Sequence, residues 1–174
     1  MTINTNKITF IATGGTIDSI FDAPSERKKI KEHSGIPDYI CKVIAPHFEF
    51  DVKEPVMIDS LDMLDEHRKQ ILTAIENVKN KNIIITHGTD TMIDTALYLQ
   101  KNLKDQSKTI ILVGSMIPLD GFYQSDAPFN LGYAIAQVQM NKGGIHLCMN
   151  AQCFTPDEVI KDREIGRFEF KETS

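Results

Sequence analysis

The sequence predicts an α/β fold: an open, mostly parallel sheet with helices on both faces, a three-layer sandwich. Three observations predict it. Short β-rich runs alternate with segments of helical period, at the pace of βαβ units. The strand candidates are mostly apolar along their whole length, as strands buried on both faces must be. With 174 residues, 41% of them hydrophobic, the chain can close a core as one domain spanning 1–174, without disulfide or metal support.

The elements follow in order. Ile8-Thr9-Phe10-Ile11-Ala12 is a compact apolar strand. Ser34 is suited to an N-cap, with Pro37 in the first turn and Ile36, Ile40, Val43 and Ile44 on one face. Residues 48–58 begin by alternating Phe48, Phe50 and Val52 with Glu49, Asp51 and Lys53, and Pro55 assigns part of the run to a sheet edge or bulge. Residues 64–78 have helical period, with Leu64, Ile71, Leu72, Ile75 and Val78 inward. Residues 83–86 form a strand, 92–103 a helix on Ile93, Ala96, Leu97 and Leu99, and 109–113 another strand. A helix over 129–140 and a strand over 145–149 complete the pattern, which is flavodoxin-like.

A net charge of −5 opposes nucleic-acid and anionic-membrane partners, which need a surplus of Lys and Arg. The one basic run, Arg27-Lys28-Lys29-Ile30-Lys31, reads as a solvated loop or helix face. Cys41, Cys148 and Cys153 are odd in number and lack metal-site spacing, so they read as reduced thiols of a cytoplasmic protein. The start of the chain, residues 1–7, is polar, and the apolar stretch behind it is too short for a signal sequence or a membrane span.

In open α/β sheets ligands bind beyond the carboxyl ends of the strands. Four such ends carry small hydroxyl, glycine and carboxylate residues: Thr13-Gly14-Gly15-Thr16, Asp59-Ser60-Leu61-Asp62, His87-Gly88-Thr89-Asp90-Thr91 and Gly114-Ser115-Met116. The first is either a plain strand-to-loop turn or a nucleophile, Thr16, beside glycines that let substrate approach the backbone. A phosphate cradle would need the Lys-Ser/Thr pair, which is absent. In the third, Thr91 and Asp94 are compatible with a capping pair and Asp90 with a helix-dipole charge. His87 reads as loop support in preference to a general base. A hydroxyl nucleophile needs a base, and Lys161 can serve where its environment favours the amine and a carboxylate holds it.

The stretches ITFIATGGTI (8–17), ITHGTDTM (85–92), VGSM (113–116) and SDAPFNL (125–131) together resemble the bacterial-type L-asparaginases, amidohydrolases with two threonine signatures. The resemblance runs from about Lys7 to about Lys161. It implies that Thr16 is the nucleophile that forms an acyl-enzyme, and that Thr89, Asp90 and Lys161 form a second catalytic group in which the lysine and threonine assist proton transfer. It also implies that Asp90 binds the substrate's α-amino group and Ser60 its α-carboxylate. Gly15, Gly88 and Ser115 would line the same pocket, the Ser115 carbonyl taking the leaving nitrogen. The implied reaction is hydrolysis of L-asparagine to L-aspartate and ammonia, with L-glutamine a poorer substrate and no metal or cofactor. A related amidase working with a partner chain, and an inactive amino-acid-binding module, are the alternatives.

Three departures qualify the likeness. Leu61 stands where many members carry a glutamine that helps hold the amine, leaving Asp62 or a neighbouring chain to compensate. The loop after the first signature lacks the tyrosine that usually assists the nucleophile; Phe21 is its only aromatic, and Asp22 or Tyr123 are the candidate substitutes. The usual enzyme is longer, with a second domain that completes a neighbour's site. A compact form is therefore expected to be at least a dimer.

Overall fold

The computed structural model describes residues 7–121 and 123–172; most of the polar start of the chain, residues 1–6, lies outside them. The chain opens with β1 (Ile8–Ala12), passes through a 3-10 turn (Thr16–Asp18), and forms a hairpin of β2 (Ser19–Asp22) and β3 (Arg27–Ile30). Then come α1 (Ile36–Tyr39), continued as a π turn (Ile40–Ile44), β4 (Phe50–Lys53), a second 3-10 turn (Ser60–Asp62) and α2 (Asp65–Glu76). β5 (Asn82–Thr86), α3 (Met92–Asn102), β6 (Thr109–Val113), α4 (Ala127–Met140) and β7 (Gly144–Met149) continue the βαβ pattern. β8 (Gln152–Phe154) turns back along β7, and β9 (Val159–Asp162) pairs with β10 (Arg167–Phe170) as a separate hairpin.

The main sheet has the order β4-β1-β5-β6-β7-β8, and every pair is parallel except β7 with β8. Strand side chains alternate between two cores, as the two-residue period requires. Ile11, Ile83, Ile85, Ile110, Leu112 and Leu147 pack under Ile71 and Ile75 of α2 and Met92, Ala96 and Leu99 of α3. Ile8, Phe10, Ile84, Ile111 and Val113 face Ile36 of α1, Ile40 and, from α4, Leu131, Ala134 and Val138. Each fully buried aliphatic side chain contributes roughly 1.5–3 kcal/mol, so these two layers hold the sheet rigid beneath its loops. The expected three-layer architecture is the one observed.

The connection β6–α4–β7 crosses in the same direction as β5–α3–β6, yet α4 covers the opposite face from α3. The two crossovers therefore have opposite hands, although nearly all such units are right-handed. The exception returns the start of α4 beneath the turn that follows β6.

Several local expectations are corrected. Val43 and Ile44 are exposed, because the helix widens after Tyr39: the Ala45 N–H donates to the Ile40 carbonyl at 3.0 Å. That five-residue loop rotates later side chains off the face set by Ile36 and Ile40. Leu64 is exposed because it is the N-cap of α2 and not within the helix, and Leu97 points to solvent one position beyond the buried Ala96. The strand expected within 48–58 is only Phe50–Lys53, and it is an edge strand, as Pro55 implied.

Candidate active site

The chain reverses direction across the sheet between β1 and β5: β4 lies on one side of β1, and β5, β6 and β7 lie on the other. This is the switch point, where the carboxyl ends of adjacent parallel strands open a crevice. The turns carrying Thr16 and Thr89 both leave from it.

Glycine is what lets these turns meet. Gly15 has φ 72°, a conformation that L side chains rarely adopt, and its N–H donates to the Ile58 carbonyl at 2.9 Å. A Cβ on Gly15 would overlap the backbone of Gly88, and a Cβ on Gly88 would overlap the Ser60 hydroxyl. Gly15, Gly88 and Ser60 are thus packed together, with half-buried Thr16 beside them. Ser60 is buried in a 3-10 turn that Asp59 caps, its carboxylate accepting from the Leu61 N–H at 3.0 Å. The Thr91 hydroxyl donates to the Ser60 carbonyl at 2.7 Å. Thr91 makes no side-chain cap on α3; it ties the two turns together, which corrects its reading as half of a capping pair.

His87 is fully buried. Its Nδ1 lies 2.7 Å from the Gly88 carbonyl, which can only accept, so Nδ1 carries the proton and Nε2 accepts from the Thr95 hydroxyl at 2.9 Å. Arg68 Nε donates in turn to Thr95 Oγ1 at 3.2 Å. This chain fixes the Gly88 peptide. Burial pushes the imidazole pKa down from its ordinary 6.5 to about 4, so His87 is neutral near neutrality and supports the loop. Between pH 6.5 and 4 the unfolded chain binds the proton more readily than the folded one. His87 should therefore cost stability as pH falls through that window, by up to about 1.4 kcal/mol per pH unit. Denaturant midpoints at pH 7, 5.5 and 4 test this: the loss should be smaller in His87→Gln, and parallel curves would assign it elsewhere.

The hairpin β9–β10 delivers Lys161 from 71 residues away. Lys161 Nζ donates to Thr89 Oγ1 at 2.8 Å and to Asp90 Oδ1 at 2.9 Å, and Arg163 Nη1 reaches the same Asp90 oxygen at 2.9 Å. The Lys161 side chain is only 14% exposed. Burial alone would raise the Asp90 carboxyl, but hydrogen bonds and charge from Lys161 and then Arg163 outweigh it and hold it below the usual carboxylate range. Asp90 thus stays anionic at neutral pH and can face a cationic amine.

Thr16 Oγ1 accepts from Lys28 Nζ at 3.1 Å, and Lys28 pairs with Asp59 Oδ2 at 3.3 Å. Lys28 is therefore not merely part of a solvated basic run. Of the two substitutes expected for the loop tyrosine, the Asp22 carboxylate accepts from the Ser25 N–H in the hairpin turn, and Tyr123 is 92% exposed. Leu61 is 71% exposed, and it is the Leu61 N–H, donating to Asp59, that takes part in the turn. Ser115 is buried, and its hydroxyl donates to the Ile117 carbonyl at 2.6 Å. Asp126 holds that turn by accepting from the N–H groups of Met116 and Ile117, each at 2.9 Å, and Asn130 Nδ2 donates to the Gly114 carbonyl at 3.2 Å. The 125–131 stretch thus acts through the backbone of the β6 turn.

Comparison with known proteins identifies the family. A family model described as Asparaginase, N-terminal, matches residues 7–173. The glutaminase-asparaginase of Acinetobacter glutaminasificans is 30% identical over an alignment 178 residues long that covers 95% of this chain and 52% of that one. L-asparaginase 2 of Escherichia coli is 31% identical over an alignment 169 residues long that covers 92% of this chain and 46% of the other. The solved structure of the thermostable L-asparaginase from Thermococcus kodakarensis superposes with a TM-score of 0.83 at 25% identity, covering 94% of this chain and 51% of that chain. The chain thus spans about half the length of the relatives it matches. With both threonine turns seated at the switch point of this sheet, and a family match across nearly all of its residues, the chain belongs to the asparaginase family.

Proposed function

We propose that the chain hydrolyses the side-chain amide of L-asparagine, giving L-aspartate and ammonia. Thr16 Oγ attacks the amide carbon and forms an acyl-enzyme, which water then cleaves. Thr89 and Lys161 assist the proton transfers, and N–H groups of the glycine-flanked turns meet the developing oxyanion. Asp90 receives the substrate's α-amino group and Ser60 its α-carboxylate, within a pocket bounded by Gly15, Gly88 and Ser115. The observation that carries this reading is the Thr89–Lys161–Asp90 constellation, with Asp90 anionic, seated across the Gly15–Gly88 contact from Thr16. A cytoplasmic, at least dimeric protein belongs to the same proposal.

Ammonia release from L-asparagine, L-glutamine and succinamate by the purified chain tests it. Glutamine should be poorer by roughly 10–200-fold, since one methylene in a shaped pocket is worth about 1–3 kcal/mol. Succinamate, which lacks the α-amino group, should bind more weakly because it forfeits the pair with Asp90. Asparagine that binds without releasing ammonia would favour an amino-acid-binding module instead.

A further inference from the structure

Among the described residues, the hydrogen-bond partner of Thr16 Oγ1 is Lys28 Nζ, at 3.1 Å. Lys28 sits on β3, in register with Phe21 of β2, so the hairpin presents it back over the turn from which it grew. Asp59, which caps the turn carrying Ser60, holds the same nitrogen at 3.3 Å with Oδ2 while Oδ1 accepts from Leu61 N–H. Hydroxyl, amine and carboxylate are thus arranged as at the other turn, where Lys161 lies 2.8 Å from Thr89 and 2.9 Å from Asp90. All three residues come from this chain.

We propose that Lys28, positioned by Asp59, is the base that activates Thr16, so that Thr16–Lys28–Asp59 forms a second Thr–Lys–Asp constellation facing Thr89–Lys161–Asp90. The proposal rests on the amide-hydrolysis reading. As the bond from Thr16 Oγ to the amide carbon forms, the Lys28 amine takes the hydroxyl proton and becomes an ammonium beside Asp59. It returns that proton to the amide nitrogen as the C–N bond breaks, releasing ammonia and leaving the acyl-enzyme. Thr89 and Lys161 then serve the water that cleaves the ester. This division of labour accounts for a loop without a tyrosine: its reach to the nucleophile is made by lysine.

Among the described residues the ionic partner of Lys28 is Asp59, from the turn before α2, and Arg27 and Lys29 flank it along β3. Thr16 reactivity is measured by modification with phenylmethanesulfonyl fluoride, followed by intact mass and peptide mapping from pH 6 to 10. Ammonia release and thermal melting are run in parallel. Lys28→Met should slow Thr16 labelling at least ~10-fold, below the usual general-base range of 10²–10⁴ because a sulfonyl fluoride needs less help than an amide. Lys28→Arg should not restore it, because a guanidinium cannot take the proton. Asp59→Asn should move the acid limb of the labelling profile to lower pH, since loss of the carboxylate disfavours the ammonium. Lys29→Met, one residue along β3, should label like the unaltered chain.

A purely structural Lys28 would be rescued by arginine and would leave the pH profile unmoved. Thr16 labelling that does not depend on Lys28 overturns the proposal, whatever asparagine does. Lys28-dependent labelling without ammonia release upholds the base assignment and overturns the asparagine reading instead.

Discussion

Replacing Thr16 by alanine is expected to lower ammonia release from L-asparagine by at least ~10³-fold, as loss of a hydroxyl nucleophile does elsewhere. The melting temperature should change little. The hydroxyl's hydrogen bond is with Lys28, whose side chain is 42% exposed and can be satisfied by Asp59 and water. The bonds that shape the turn are made by the Thr16 carbonyl, which accepts from the Ser19 hydroxyl at 2.8 Å and from the Ser19 N–H, and alanine keeps both. Activity and fold are thus separable at this position, which is what the test requires. A variant that melts normally and retains full turnover would remove Thr16 as nucleophile and transfer attention to Thr89, the other threonine hydroxyl held by a lysine. Thr89→Ala in parallel decides between them.

The parts of this arrangement that were legible in the sequence are those with a local signature. β1, β5, β6 and β7 are runs of Ile, Leu and Val that must be buried wherever they fall, and the turns behind them carry glycines and hydroxyls whose backbone demands are also local. Those two facts place the crevice. The ribbons were not legible. Arg27–Ile30 and Arg167–Phe170 are short strands carrying charged residues, in which only Phe168 is buried, and each pairs with a neighbour a few residues away without an apolar run to announce it. Lys28 looked solvated because three of its four neighbours in that run are basic; its carboxylate partner lies 31 residues further on. The contact of Arg163 with Asp90 is hidden for the same reason, since the two are remote in sequence. Helix faces were read correctly only where the period held: Ile71 and Ile75 are buried, whereas Val43 and Ile44 follow a π turn that no hydrophobic pattern signals.

The two hairpins bring the lysines to the threonines by the same device, and this makes Lys161 the more sensitive of the two to its surroundings. Lys28 is 42% exposed, and an exposed ion pair is worth little by itself. The Lys161 side chain is only 14% exposed, and its partner Asp90 is shared with Arg163. Lys161→Met keeps most of the apolar stem and removes the nitrogen. Turnover should fall by at least ~10²-fold, the usual loss with a general acid–base group. KM should change much less, because Arg163 remains to keep Asp90 anionic and the carboxylate is still free to meet the substrate amine. Lys161→Arg should not recover the rate, since arginine can donate to Thr89 and Asp90 but cannot give up its proton. The hairpin itself should survive both changes: Val159 and Phe168 anchor it in the core beneath α3 and the sheet, independently of the lysine head group. Steady-state kinetics of the two variants, with melting curves alongside, separate the outcomes. A loss confined to kcat supports proton transfer through Lys161. A rise in KM with kcat intact would show that Lys161 acts by orienting Asp90 for the amine, and the proton step would then rest on Lys28 alone.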